Sequence, residues 1–144
     1  MNKTVIAHDA FEMEEIGVEL GTHLKSGSLV SIIGPLGAGK TTLVKGLARS
    51  LLITDVVCSP SYLLARTYTG RSGTVLHHID AYRVTSLDAL AEVGLDDYLP
   101  PEEGVAAVEW PDNIDGLVEQ SDFVVRIRVL DGDAREVAIT ASNA

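Results

Sequence analysis

Residues 28–52, SLVSIIGPLGAGKTTLVKGLARSLL, decide the fold. Leu29-Val30-Ser31-Ile32-Ile33 is a short apolar run that reads as a buried strand, and Val44, Leu47, Ala48 and Leu51 then recur at helical spacing. Between them, residues 34–41, GPLGAGKT, fit the phosphate-loop pattern G-x-x-x-x-G-K-[ST]. Glycines let a backbone pass close to a polyphosphate and turn successive N–H groups inward as an anion nest. The helix behind them adds the positive end of its dipole. Lys40 is expected to reach the β- and γ-phosphates, and the Thr41 hydroxyl to sit on Mg²⁺. A glycine-rich turn with an incidental lysine would share the spelling. The flanking strand and helix are the context the motif requires, so nucleoside triphosphate binding is expected.

The composition agrees with a single compact unit. The chain has 144 residues, 46% of them hydrophobic, which suits one phosphate-loop domain spanning residues 1–144. No run of about 18 apolar residues occurs, so no membrane span is expected. The N-terminus, MNKTVIAHDAFEMEE, lacks the apolar core of a signal peptide. The single cysteine, Cys58, excludes an internal disulfide framework and suits a reducing cytoplasm; it reads as a strand core residue rather than a nucleophile. With 21 acidic and 11 basic residues the formal charge is −10. A protein that grips nucleic acid by its phosphates needs a basic face, so direct tRNA or DNA binding is disfavoured; an acidic surface fits a soluble protein or one that docks on a basic partner.

Upstream of the phosphate loop, residues 4–8 read as an edge strand or an extended lead-in. Asp9 with Glu12 forms a capping-box-like helix start. Met13, Ile16, Leu20 and Leu24 supply the apolar stripe, and Gly27 is expected to close that helix. Downstream, residues 53–58 read as a second buried strand centred on Val56 and Val57. Residues 62–69 and 74–80 read as a hairpin about Gly70-Arg71-Ser72-Gly73. A short helix over residues 87–93 has Ser86 as cap and Gly94 as stop. Residues 105–108 form another apolar strand, and Pro111 suits the first turn of a helix to about Glu119. Residues 123–129 and 135–140 close the chain as a hairpin about Asp131-Gly132-Asp133. Apolar strands alternate with helices early and antiparallel hairpins dominate later. The expected fold is therefore α/β: a P-loop NTPase-like sandwich with a mixed, partly antiparallel sheet.

Open α/β sheets bind ligands beyond the carboxyl ends of their strands. The phosphate loop, residues 59–62, Asp80 and Glu109 all fall at expected strand ends. Asp80 follows VLHHI, where a phosphate-loop NTPase holds Mg²⁺ directly or through water; an Asp capping the next turn is the plainer alternative. Glu109 follows VAAV, from where a carboxylate can orient or deprotonate the attacking water or complete the metal shell; a surface glutamate is the alternative. Trp110, the single tryptophan, covers the core, lies against the nucleotide or forms part of a docking surface. Ser61, on a loop stiffened by Pro60, has the hydroxyl of a switch residue, although taken alone it reads as a serine closing a turn. His77 and His78 point to opposite strand faces and cannot easily grip one metal; His78 shares the face of Asp80.

Taken in order, GPLGAGKTT, SPSY, HHIDAYR and VEWP resemble the TsaE (YjeE) family, the ATPase of bacterial tRNA threonylcarbamoyladenosine biosynthesis. The resemblance runs from the first helix to the closing hairpin. The His78–Arg83 segment and the Glu109-Trp110 pair carry it more specifically than the phosphate loop. It implies a small ATPase that acts with TsaD and TsaB, which attach threonylcarbamoyl to adenosine 37 of tRNAs reading ANN codons. The ATPase does not transfer the group; it binds the TsaD–TsaB assembly and resets it by hydrolysing ATP, touching tRNA only through that complex. By the same resemblance Gly37, Ala38, Gly39, Lys40, Thr41 and Thr42 hold the phosphates, and Thr41 and Glu109 hold Mg²⁺. Asp80 supports the metal or the water, and Trp110 lies near the nucleotide. Two stretches depart from the family. Ser61-Tyr62 stands where Thr-Phe is usual, and Pro35 where Asp is common.

Three other readings stay open on the residues alone. A small-metabolite kinase would use the same loop, but no arginine-rich lid segment is visible. A GTP-dependent switch would carry a late Asn-Lys-x-Asp, whereas Asn2-Lys3 precedes the loop and lacks the aspartate. A docking module that only binds nucleotide would not need Lys40, Thr41, Asp80 and Glu109 together.

Overall fold

The computed structural model describes residues 1–60, 64–84 and 86–142. Lys3–Ala7 forms the first strand, β1, and Ala10–Gly21 the first helix, α1. Asp9 caps α1 by accepting the Glu12 N–H, while Glu12 reaches back to the His8 N–H. The helix stops six residues earlier than Gly27. Thr22 closes it, its hydroxyl donating to the Glu19 carbonyl, and Gly27 instead takes φ 94° in the turn before the next strand. Leu29–Ile33 (β2) and Lys40–Ser50 (α2) flank the phosphate loop as expected.

The segment after α2 departs from its reading. Residues 53–58 form no strand: Ile53 and Val57 are buried, but Val56 is 81% exposed and Cys58 is an exposed free thiol rather than a core residue. Alternate burial without a neighbouring strand gives a loop pinned at two points. Ala65–Thr69 (β3) and Val75–Asp80 (β4) then form the expected antiparallel hairpin. Leu87–Glu92 (α3) is capped by the Ser86 hydroxyl, and Val105–Glu109 (β5) is buried throughout. The helix expected from Pro111 is broken. Pro111–Asn113 makes a single 3-10 turn, Gly116 turns the chain at φ 82°, and Leu117–Gln120 (α4) follows. Phe123–Val129 (β6) and Arg135–Ala141 (β7) close the chain as a hairpin.

The strands form one seven-stranded sheet in the order β1-β7-β6-β2-β5-β4-β3. β6, β2, β5 and β4 run parallel in the middle; β7, β1 and β3 are antiparallel additions at the two sides. This is the mixed α/β sheet expected. One core, with Met13, Leu20, Leu43, Leu47, Val30 and Ile32, packs α1 and α2 on one face. A second, with Leu29, Ile79, Leu90, Val108 and Ile114, lies on the other. Ser31, buried mid-strand in β2, is satisfied by the Ser121 hydroxyl at 2.6 Å. Among the described residues no helix is long and apolar enough to cross a membrane.

Candidate nucleotide site

β2, β4 and β5 are parallel neighbours, so their carboxyl ends open on the same side. Gly37 and Gly39 take φ 77° and 103°, conformations a side chain would strain, and so let the loop curl back on itself. Gly39 also occupies the N-cap of α2. Among the described residues no side chain caps that helix, which leaves the N–H groups of its first turn for an external acceptor.

Lys40 is buried. Its Nζ donates to the Gly34 and Pro35 carbonyls at 2.8 Å each and lies 4.4 Å above the Trp110 ring. Burial holds its pKa below the ordinary lysine value, offset in part by Glu109, Asp80 and Asp112. An ammonium held by two neutral carbonyls and a ring keeps a charge that an anion would satisfy better. Thr41 donates its hydroxyl to Glu109 Oε2 at 2.9 Å, joining the start of α2 to the end of β5. Asp80 stands opposite Glu109 in the β4–β5 register, and its Oδ1 accepts the Tyr82 N–H. Asp80 is buried rather than at the surface; it caps the next turn and also borders the cavity.

These residues line a cavity of about 590 Å³ bounded by residues 36–42, Ser59, Asp80, Tyr82, Arg83, Glu109 and Trp110. Gly37, Ala38, Gly39 and Thr42 also border a smaller cleft of about 280 Å³, shared with Asp9, Met13, Asp133 and Arg135. The oxygen donors suit a hard divalent cation. Thr41 and Glu109 already converge, and among the described residues no three His, Cys, Asp or Glu side chains form a metal cage. A cation bound here would take few protein oxygens and complete its shell from phosphate and water, as Mg²⁺ does.

A family model described as "Threonylcarbamoyl adenosine biosynthesis protein TsaE" matches residues 7–137. The chain belongs to the TsaE family. The tRNA threonylcarbamoyladenosine biosynthesis protein TsaE of Treponema pallidum is 32% identical over 134 residues, 93% of this chain and 97% of that protein. The protein of the same name from Bacillus subtilis is 37% identical over 118 residues, covering 81% and 72% of the two chains. The crystal structure of Bacillus YdiB superposes with a TM-score of 0.75 at 31% identity, over 98% of this chain and 87% of that one. Family and fold thus agree with the resemblance carried by the motifs.

Of the residues singled out by sequence, Gly37 to Thr42, Asp80, Glu109 and Trp110 all border the one cavity. Ser61 lies outside the described residues. Sequence reasoning gave no separate role to several others. Tyr82 packs on Trp110 with ring centroids 4.9 Å apart, and Arg83 also lines the wall. Both belong to the HIDAYR segment, which was the available signal. Asn113 ties Ala81 and Tyr82 to the turn after Trp110, and Arg135 donates to the Gly37 carbonyl at 3.3 Å. These contacts span 31 to 98 positions of sequence and carry no local signature.

Proposed function

We propose that this chain is the ATP-binding and ATP-hydrolysing component of the tRNA threonylcarbamoyladenosine machinery, a single phosphate-loop domain acting in the cytoplasm. It works on a TsaD–TsaB complex and does not transfer the threonylcarbamoyl group itself. One observation carries this reading: the Thr41 hydroxyl meets the Glu109 carboxylate at 2.9 Å beside an uncapped, glycine-turned helix start. Such an arrangement suits a triphosphate with its divalent cation better than a neutral ligand.

The loop amides and the start of α2 receive the phosphates, and Lys40 exchanges its two loop carbonyls for phosphate oxygens. Thr41 and Glu109 would hold Mg²⁺, with Asp80 beside them on β4. When bound, that ion supplies neutralisation of the charge spreading over the phosphoryl oxygens. Asp80, beside Glu109 in the register, is placed to orient the attacking water; a Glu109 carboxylate not spent on the ion would instead take that water's proton. Trp110 and Tyr82 pack on each other in the cavity wall. The smaller cleft by Asp9 and Arg135 offers room for the nucleoside end. Family membership does not favour the small-metabolite kinase.

The test is ATP hydrolysis with and without a matched TsaD–TsaB pair, with Lys40→Ala as control. Stimulation by the pair, abolished in Lys40→Ala, is expected. Glu109→Gln should still bind ATP yet turn it over about 100-fold more slowly or worse. Undiminished turnover in Glu109→Gln removes it from the mechanism. Phosphate arriving on a small acceptor instead of water restores the kinase reading.

A further inference from the structure

His78 sits in the middle of β4, opposite Arg66 of β3 on one side and Ala107 of β5 on the other. It is completely buried. Its Nε2 lies 2.5 Å from Glu109 Oε2, the same oxygen that accepts the Thr41 hydroxyl. Its other nitrogen, Nδ1, is buried with no hydrogen-bond partner among the described residues.

A polar ring with one unmatched nitrogen is an expensive filler for a sheet interior, where an apolar side chain would pack without that penalty. What the ring supplies is the single contact to Glu109. The two donors on Oε2 differ in kind. Thr41 comes from the start of α2 and is itself a candidate ligand of the cation: a lone pair of its hydroxyl would face the ion while its proton stays on Oε2. His78 approaches from within the sheet, has no such second task, and is held by strands on both sides. A buried carboxylate with one oxygen fixed by a rigid neighbour loses its freedom to swing.

We propose that His78 is a positioning residue that locks the Glu109 carboxylate in the orientation that receives the divalent cation. This rests on reading the cavity as a metal–nucleotide site. By this account Thr41 shares its hydroxyl between Glu109 and the cation, and His78 serves Glu109 alone.

The experiment measures binding of Mn²⁺, as a paramagnetic probe, to the full chain saturated with a non-hydrolysable ATP analogue, by electron paramagnetic resonance. Metal-free binding of the analogue is measured in parallel. His78→Phe keeps the ring and removes the donor; Mn²⁺ affinity should fall at least tenfold with nucleotide binding nearly unchanged. Two further variants guard against a folding defect. The His78→Gln amide nitrogen reaches about as far as Nε2 and should restore most of the affinity. His78→Asn is equally polar but stops short of Oε2, and should not. Equal Mn²⁺ affinity in wild type and His78→Phe, or in the Gln and Asn variants, overturns the positioning role alone. Failure of the wild type to take up Mn²⁺ with the nucleotide overturns the site reading and this role with it.

Discussion

Trp110 has φ 59° and ψ 44°, a left-handed backbone for a large side chain, which costs about 1–2 kcal/mol. Neighbouring contacts offset that cost. Asn113 donates its side-chain amide to the Ala81 and Tyr82 carbonyls at 2.9 and 3.1 Å, and its N–H to the Trp110 carbonyl. The end of β5 is thereby clamped to the end of β4. Asn113→Ala should lose about 1–2 kcal/mol in urea unfolding, the value of two modest hydrogen bonds, and shift the emission of the single tryptophan. Unchanged emission and midpoint would show that the clamp holds nothing. His77, on the other face of β4, behaves differently. It stacks on Tyr98 with centroids 4.0 Å apart, and its Nδ1 lies 3.0 Å from the Thr67 hydroxyl. Burial pushes its pKa below the ordinary 6.5, and a hydrogen bond to the Glu103 backbone offsets this only in part. The unfolded chain therefore takes up a proton that the folded chain refuses. The stability His77 contributes is complete above about pH 6.5 and is lost as pH falls through the folded value. His77→Phe should flatten that part of the pH profile; parallel profiles for the two proteins would refute the assignment.

The α1–α2 pair shows how an element carries the site. A Cβ on Gly17 would lie 2.0 Å from the Leu43 carbonyl oxygen, and one on Gly46 would lie 1.8 Å from that of Glu14. Both obstacles are backbone, so neither can move aside. In an exposed helix a Gly→Ala change stabilises by roughly 1 kcal/mol through propensity. Here the sign reverses. Gly46→Ala should cost about 3 kcal/mol by overpacking. Because Met13 of α1 packs beneath Gly39, it should weaken nucleotide binding as well. A thermal melt at or above that of the wild type would exclude the close approach. Gly17 and Gly46 sit inside helical patterns where sequence offers only a weak propensity penalty, so their role was not legible. The phosphate-loop unit was, since loop, strand and helix are contiguous in the chain. The two hairpins were legible for the same reason, their partners being separated by a single turn. Residues 53–58 misled because β-branched, apolar composition describes a strand without supplying the neighbour it must pair with. The helix after Pro111 misled because local preference there gives way to Asn113, whose side chain is spent on the Ala81 and Tyr82 carbonyls. Of the site, Thr41 and Glu109 could be named from motif order, but their contact across 68 positions is a product of strand order, which no local pattern encodes.

The formal charge of −10 on 144 residues sets how the whole molecule meets others. Four of the 11 basic side chains are already engaged. Lys3 is paired with Glu19, Arg49 with Glu14 and Glu15, and Arg128 with Glu136, while Lys40 is buried in the site. Each pairing lowers the positive potential left for a phosphate backbone, and tRNA would meet net repulsion at long range. A TsaD–TsaB surface of opposite sign would instead draw the chain in, raising the encounter rate while leaving the dissociation rate to short-range contacts. Two measurements separate these cases. Labelled tRNA titrated with the isolated chain should show no saturable anisotropy change at about 0.15 M salt, where the Debye length is about 8 Å. Association with the TsaD–TsaB pair, followed by stopped flow, should slow about tenfold or more between low and high salt, with dissociation changing far less. A salt-independent association rate would rule out steering and shift the burden of recognition to apolar contacts. Saturable tRNA binding whose affinity falls steeply with salt would mean that the cations converge on RNA after all, and that the chain reads the tRNA itself whether or not it also meets the proposed protein pair.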